Sequence, residues 1–225
     1  MLDRRFVIFA LCSLAVGAAC SDDDDDSNTS LVRVVNATNS AIDVASGTTI
    51  ATGNANIVFG SGSSCVTTNS FVPDLNVSPA GTTNSFSNFD LDLLANQSYV
   101  IVAYPAFSGV TEFATIATGT PPAAGQAGLR VFNGAAGSGA FDVFVTAPGA
   151  VLGTAGATGI GFRTVSGFIS VPPGTNQVRL TNTGTQTVVI NAGNLTFTAG
   201  QNSVLVIGPP APGTTALRTF LATGC

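Results

Sequence analysis

The chain has 225 residues, enough for one or two domains with buried cores. Charged residues make up 8% of it, against about 25% in a typical globular protein, and all seven basic residues are arginine. Without His or Lys, the chain has no His-based catalytic triad, lysine Schiff base, P-loop lysine or His-containing zinc site. A net charge of −5 with no basic run argues against a nucleic-acid surface.

The first 19 residues have the layout of a secretory signal peptide. Arg4 and Arg5 give a positive start, and the apolar run Phe6–Val16 leads into the small residues Gly17–Ala19. An apolar run of this length is too short for a permanent transmembrane helix. We therefore expect residues 1–19 to be removed. Ordinary signal-peptidase cleavage would leave a free secreted chain.

The cysteine after this segment favours a lipid anchor over free secretion. The sequence Val16-Gly17-Ala18-Ala19-Cys20 resembles the lipobox of bacterial lipoproteins. This resemblance implies that Cys20 becomes the N-terminus and carries acyl chains such as palmitate, which bind the membrane at about 0.8 kcal/mol per buried CH₂. Ser21 at the next position implies sorting to the outer membrane. The expected location is the bacterial outer membrane within the cell envelope, and the alternative is secretion.

A run of five aspartates, residues 22–26, follows the cysteine. Like charges repel, and the segment contains no apolar residues on which to fold. We interpret residues 20–30 as a lipidated cysteine followed by an acidic, disordered tether, in preference to a calcium site. The rest of the chain is nearly neutral, with five arginines and six acidic residues: Asp43, Asp74, Asp90, Asp92, Glu112 and Asp142.

Two cysteines remain for the folded region. Cys12 leaves with the signal peptide and Cys20 takes the lipid, so Cys65 and Cys225 are left. A disulfide is the expected state outside the cytoplasm, and it would close a loop of about 160 residues. The alternatives are two free thiols or a bond between two chains.

Short β-branched runs separated by Pro, Gly, Asn and Thr predict an all-β fold after residue 30. The predicted strands are Leu31–Val35, Ile42–Val44, Tyr99–Ala103, Leu129–Phe132, Phe141–Val145, Phe168–Val171, Val178–Leu180, Thr187–Ile190, Leu195–Thr198, Ser203–Ile207 and Ala216–Leu221. Strands this short indicate antiparallel β-sandwiches. Asn69–Asn88 is predicted to be a loop insertion.

The pattern of strands occurs twice. Val32–Asn36 matches Leu129–Asn133, and Ala41–Val44 matches Ala140–Val143 at nearly the same offset. The pattern predicts two tandem β-sandwich domains. Their predicted bounds are residues 31–120 and 128–225, joined by a Pro/Gly-rich linker over residues 121–127.

The repeated motifs resemble a bacterial domain-of-unknown-function family whose members occur as tandem immunoglobulin-like repeats on surface lipoproteins. The motifs are hydrophobic-Arg-[Val/Phe]-x-Asn, then Asp-Val, then Pro-x-Gly-Thr or Pro-Gly-Thr, and finally Ala-x-Gln before an apolar strand. The residues that carry the resemblance include Arg33, Asn36 and Asp43 in the first copy and Arg130, Asn133 and Asp142 in the second. The resemblance implies a fold and a location, and it implies no activity.

Carboxylates are the remaining acid–base candidates. Asp90 and Asp92 alternate along one predicted strand, as paired acids for glycoside hydrolysis or as candidate calcium ligands would. We favour the simpler interpretation, a solvated strand face.

The aspartates at equivalent repeat positions have a structural interpretation. Asp43 and Asp142 are expected to brace a turn or to pair with Arg33 and Arg130 across strands. Glu112 aligns with Ala216 in the repeat, so no shared role is expected for it.

Binding is a more plausible function than catalysis for this chain. Loops at the ends of a sandwich suit recognition, and here they are polar but almost uncharged. Phe71, Phe86, Phe89 and Phe107 lie in loop-like segments and are either core residues or sugar-stacking platforms. We expect a non-enzymatic surface lipoprotein without a cofactor, serving as a structural, adhesion or ligand-binding module for an envelope protein or glycan. The alternative is a carbohydrate-binding or calcium-dependent carbohydrate-active protein.

Overall fold

A computed structural model describes residues 28–70, 73–86, 91–119 and 121–225. These residues form fourteen strands and no helix, so the predicted all-β class is confirmed. Consequently the described residues offer no apolar helix of membrane-spanning length. The predicted signal peptide, Cys20 and most of the acidic tether lie outside the described residues.

The strands divide into two sets on either side of residues 118–126. The first set is β1 (Thr29–Asn36), β2 (Ile42–Ser46), β3 (Val66–Asn69), β4 (Leu75–Pro79), β5 (Ser98–Pro105) and β6 (Thr111–Ala117). The second set is β7 (Ala127–Asn133), β8 (Phe141–Thr146), β9 (Ala157–Ile160), β10 (Ile169–Val171), β11 (Gly174–Asn182), β12 (Val188–Phe197), β13 (Asn202–Gly208) and β14 (Arg218–Thr223). We call the two sets the first half and the second half.

Four sheets stack in layers. Sheet 1 contains β2 and β4, sheet 2 has the order β3-β1-β5-β6, sheet 3 has the order β10-β7-β13-β14, and sheet 4 has the order β12-β11-β8-β9. Sheets 2 and 3 therefore have the same strand order in corresponding positions. No sheet of the described residues takes strands from both halves.

Three apolar cores lie between the four layers. The first core, between sheets 1 and 2, contains Val34 and Ile101. The second core, between sheets 3 and 4, contains Val131 and Leu205. A central core joins sheets 2 and 3, and it includes the neighbours of these residues in sequence: Val35, Val100, Val102, Phe132, Val204 and Val206. Because side chains alternate across a strand, β1, β5, β7 and β13 are each buried on both faces.

The sheets differ from the antiparallel prediction in one respect. β1 pairs with β5 in parallel, and β7 pairs with β13 in parallel, so sheets 2 and 3 are mixed. The remaining strand pairs are antiparallel. A parallel pair needs a long crossover, and here sheets 1 and 4 are built within those crossovers.

Several predicted boundaries were wrong. Thr187–Ile190 and Leu195–Thr198 belong to one strand, β12, which continues through Gly193 at a φ of 84° beside a shift in pairing register. Asn69–Asn88 is not only a loop, because it contains β4. Strands β3, β6 and β9 were not predicted, since their sequences show no clear alternation of apolar and polar residues and each depends on pairing with a neighbouring strand.

Candidate functional site

The central strands of the two halves, β1 and β5 in the first and β7 and β13 in the second, run in the same direction. Arg33, near the start of β1, donates a hydrogen bond to Thr223 at the end of β14. Thr223 pairs with a residue at the start of β13, so β1 and β13 begin at the same end of the molecule. At the other end of the strands, the rings of Tyr104 and Phe132 stack edge to face with centroids 5.2 Å apart. We call the end at which β1 and β13 begin the proximal end. It contains Thr29, and the connection from β6 to β7 that joins the halves also lies there.

The opposite end presents four loops, which we call the distal loop end. They follow β1, β5, β7 and β13 and comprise residues 37–41, 106–110, 134–140 and 209–217. The eight residues of β1 separate the two ends by about 26 Å at 3.3 Å per residue. Loops on a rigid strand scaffold are the usual place for recognition.

An asparagine braces the distal loop end in each half. Asn36 donates to the carbonyl oxygens of Ser40 (2.7 Å) and Ile57 (2.8 Å), and its Oδ1 accepts from the amide of Thr38 (2.7 Å). Asn133 donates to Gly139 O and Ile160 O, both at 3.2 Å, and to Ser138 Oγ, and accepts from the amide of Ala135 (3.1 Å). Both asparagines are fully buried. Each therefore joins its strand to the loop that follows and to a second segment.

An aspartate in the next strand of each half has a related role. Asp43 accepts from the amides of Asn56 (2.6 Å) and Gly81 (2.8 Å). Asp142 accepts from the amides of Gly159 (2.9 Å) and Gly184 (2.8 Å). Of the two roles considered for these aspartates, the structure places both carboxylates on backbone amides and neither on an arginine.

The amides favour the charged form of Asp142. The N–H of Gly184 contributes most and that of Gly159 adds to it, and together they hold the pKa of Asp142 below its usual value against the opposing effect of burial. The carboxylate is thus a hydrogen-bond acceptor that joins β8 to β9 and to the loop between β11 and β12.

The arginines of the repeated motif cross between the halves. Arg33 Nη1 donates to the carbonyl oxygen of Thr223 (3.0 Å) and to its Oγ1 (2.6 Å). Arg130 Nη1 donates to the carbonyl oxygen of Ala117 (3.1 Å). Ala117 pairs with Tyr99, and Thr223 pairs with Ser203, which are corresponding positions in the parallel strands. The two contacts are therefore reciprocal, and they relate the halves by an approximate two-fold axis along the strands.

Comparison with known proteins finds one family whose sequence pattern the chain matches. Residues 30–144, just over half of the chain, match a domain of unknown function, DUF4397. The chain belongs to the DUF4397 family. No curated protein matches it. The match covers Asn36 and Asp43 with their braced loops and extends into β7 and β8 of the second half, including Asn133 and Asp142.

Glu112 of this DUF4397 protein has a role that its sequence position did not indicate. Its Oε1 is paired with Arg163 of the second half, and its Oε2 accepts from the hydroxyl of Tyr104 (3.0 Å). Burial, together with this carboxylate, raises the pKa of Tyr104 to about 12. Arg163 has a φ of 63°, in the left-handed region that side chains disfavour. A side chain held there beside an ion pair marks a constrained link between the halves.

The alignment of Glu112 with Ala216 was wrong by two residues. Glu112 pairs with Tyr104, and Arg218 pairs with Gly208, the residue that corresponds to Tyr104. The counterpart of Glu112 is therefore Arg218, because the β13–β14 loop is longer than the β5–β6 loop. Arg218 also reaches the first half, where it donates to the Oδ1 of Asn39.

Two serines with corresponding contacts in the two halves were missed in the sequence. Ser63 Oγ accepts from the amide of Val34 (3.0 Å), and Ser166 Oγ accepts from the amide of Val131 (2.9 Å). Each serine hydroxyl also donates to the carbonyl of the residue that follows it. The available signal was a serine at nearly the same offset in both halves, too common a residue to single out.

Only one of the two aspartates considered for a metal, Asp92, lies within the described residues. Asp92 is exposed, and Asp90 lies outside the described residues. Among the residues that the structure describes, no three His, Cys, Asp or Glu side chains lie close enough to hold a metal ion. Cys20 is likewise outside the described residues.

The aromatic candidates separate into two kinds. Phe86 packs against Phe113 on the first core, with ring centroids 5.6 Å apart, so it is a core residue. Phe107 is 73% exposed at the distal loop end. Phe71 and Phe89 lie outside the described residues. Of the two that the structure describes, Phe107 is the one with a ring accessible to a ligand.

The structure contains the predicted disulfide. Cys65 lies in the first half before β3, Cys225 follows β14, and their Cα atoms are 5.9 Å apart. Nη2 of Arg33 lies 3.4 Å from the Sγ of Cys65. The bond therefore closes the proximal end of the central interface, beside the reciprocal arginine contacts.

Proposed function

We propose that this DUF4397 protein is a non-enzymatic, lipid-anchored protein of the bacterial outer membrane. In this proposal Cys20 carries the lipid, the acidic segment that follows it forms the tether, and the two halves are tandem copies of one family unit. The distal loop end then serves as an adhesion or ligand-binding surface for an envelope protein or glycan. The signal-peptide layout, the lipobox-like sequence and the aspartate run support the anchor.

One observation carries this proposal: the first strand begins at one end of the fold, and the four loops lie at the other end. The tether joins the fold at the proximal end, where β1 begins, and four loops lie at the opposite end. An anchored molecule with this layout holds its loops away from the lipid. Asn36 and Asn133 brace two of those loops, residues 37–41 and 134–140, through hydrogen bonds, which suits recognition by a preformed surface.

The corresponding contacts in the two halves support the tandem origin. Sheets 2 and 3 share one strand order, and the arginine contacts across the interface are reciprocal. A pair of similar units packed about an approximate two-fold axis resembles a homodimer whose subunits lie in one chain.

The anchor is tested by growing cells with radiolabelled palmitate. We expect the natural chain to take up label and the Cys20→Ala variant to remain unlabelled. Label that is unchanged in the variant, or absent from the natural chain, would contradict a lipid on Cys20.

Display is tested with a membrane-impermeant maleimide on intact cells. Ser108→Cys places a thiol on the exposed loop 106–110. The unsubstituted protein is the control, since the disulfide occupies Cys65 and Cys225 and the proposed lipid occupies Cys20. We expect labelling of the variant alone. Labelling that requires disruption of the outer membrane would contradict display at the cell surface.

A further inference from the structure

A groove opens at the distal loop end of the second half. Its volume is about 460 Å³, within the usual range for small-molecule sites. Glycine backbone from loop 134–140 forms one wall, and loop 209–217 and the start of β12 form the others. Loop 134–140 is the one that Asn133 braces, so this wall of the groove is held by hydrogen bonds.

Phe107 stands at the edge of this groove. A Cβ atom placed on Gly137, which lines the groove, would lie 3.9 Å from the Cε1 of Phe107. The ring is held by Phe162, with centroids 5.0 Å apart and planes at 75°, yet 73% of the residue is exposed. A large aromatic ring held in solvent leaves apolar area in contact with water, and a bound ligand would cover that area.

The groove combines apolar and hydrogen-bonding groups without charge. Val189, which is 45% exposed, and the half-buried Leu217 offer apolar surface, and the exposed residues Asn182 and Thr215 offer an amide and a hydroxyl. No charged side chain of the described residues lines it. Sugars present apolar C–H faces and many neutral hydroxyls, so they fit this mixture, whereas a charged ligand would find no counter-ion.

We propose that Phe107 and this groove form a binding site for a neutral oligosaccharide. One sugar ring stacks on Phe107, and the adjoining sugar lies in the groove against Asn182 and Thr215. The inference rests on the proposed function, because it names the ligand class of the displayed loop end.

The site is tested by isothermal titration of the purified full-length protein with cellotetraose, maltotetraose and chitotetraose, and with sialyllactose as a charged probe. The variants are Phe107→Ala, Phe107→Trp and Val151→Ala. Val151 is the matched control, an 87% exposed apolar residue on the loop that follows β8, at the proximal end. All three substitutions are at exposed positions, so thermal unfolding is expected to be unchanged and to verify the fold.

We expect at least one neutral tetrasaccharide to bind, and Phe107→Ala to weaken its binding about tenfold. Phe107→Trp and Val151→Ala should bind as the unsubstituted protein does. Three results would overturn the inference: no neutral tetrasaccharide binds, Phe107→Ala binds equally well, or sialyllactose binds better than the neutral probes. If the maleimide still labels Ser108→Cys on intact cells, such a result removes the sugar site and leaves the proposed display standing.

Discussion

Removal of the Cys65–Cys225 disulfide is expected to destabilise the protein strongly. The two cysteines are 160 residues apart in sequence, so the bond restrains most of the unfolded chain. For a loop of this length, the lost chain entropy corresponds to about 5 kcal/mol at 25 °C. In a domain pair of this size each kcal/mol shifts the unfolding midpoint by about 2–4 °C. Cys65→Ser combined with Cys225→Ser should therefore lower the Tm by about 10–20 °C.

Differential scanning calorimetry of the double variant measures this shift, and the unsubstituted protein in excess reductant is its control. Both should unfold at the same lowered temperature. Small-angle scattering of the folded double variant should give an unchanged radius of gyration, because the central core and the arginine contacts still join the halves. A Tm within about 3 °C of the oxidised protein would refute the reasoning, since the bond would then not restrain the unfolded chain.

Three further predictions concern single side chains. Asp142→Asn should destabilise by about 1–3 kcal/mol at pH 7, because the N–H groups of Gly159 and Gly184 bind different carboxylate oxygens and asparagine has only one oxygen. Since the pKa of Asp142 is lowered in the fold, urea unfolding should show this difference above about pH 4 and lose it as the pH falls below that. Thr181→Val should stabilise the fold by about 1 kcal/mol, because Thr181 Oγ1 is buried without a hydrogen-bond partner. Thr185→Val is the control and should not stabilise it, because the Thr185 hydroxyl donates to a carbonyl oxygen. Equal urea midpoints for the two variants would contradict this prediction. Phe132→Ala should lower the free energy of unfolding by about 3–5 kcal/mol, because it opens a cavity in the central core. Phe168 is half-exposed, so Phe168→Ala should lower it by less than about 1.5 kcal/mol. Similar losses for the two variants in denaturant titrations would argue against a packed interface between the halves.

The sequence predicted the strands whose pattern is strongest and missed those that depend on neighbours. Val32–Asn36 and Leu129–Asn133 stand out because apolar residues fill both faces of their strands. The alternating pattern could not show what covers the second face, since Val35 and Phe132 meet residues far away in the chain. β6 was missed because few of its residues are buried, and its pairing with β5 stabilises it.

The candidate site was only partly predictable. The motif residues Asn36 and Asp43 were identified from the repeat, but the amides that they bind lie on loops whose paths depend on the whole fold. The link from Glu112 to Arg163 spans 51 residues and joins two sheets, so no local pattern reveals it. Phe107 was named as a candidate for a core or a sugar-stacking role, and its exposure became evident only from the position of the β5–β6 loop.

The position of β1 has a mechanical consequence. β1 lies inside sheet 2, hydrogen-bonded to β3 on one side and to β5 in parallel on the other. A force applied between residue 28 and loop 106–110 acts along these strands, so it loads the evenly spaced bonds between β1 and β5 in shear and all at once. A pull of the same size across the sheet would open the bonds one after another. Tension between the start of the fold and its distal loops is therefore borne in the direction in which sheet 2 resists it best.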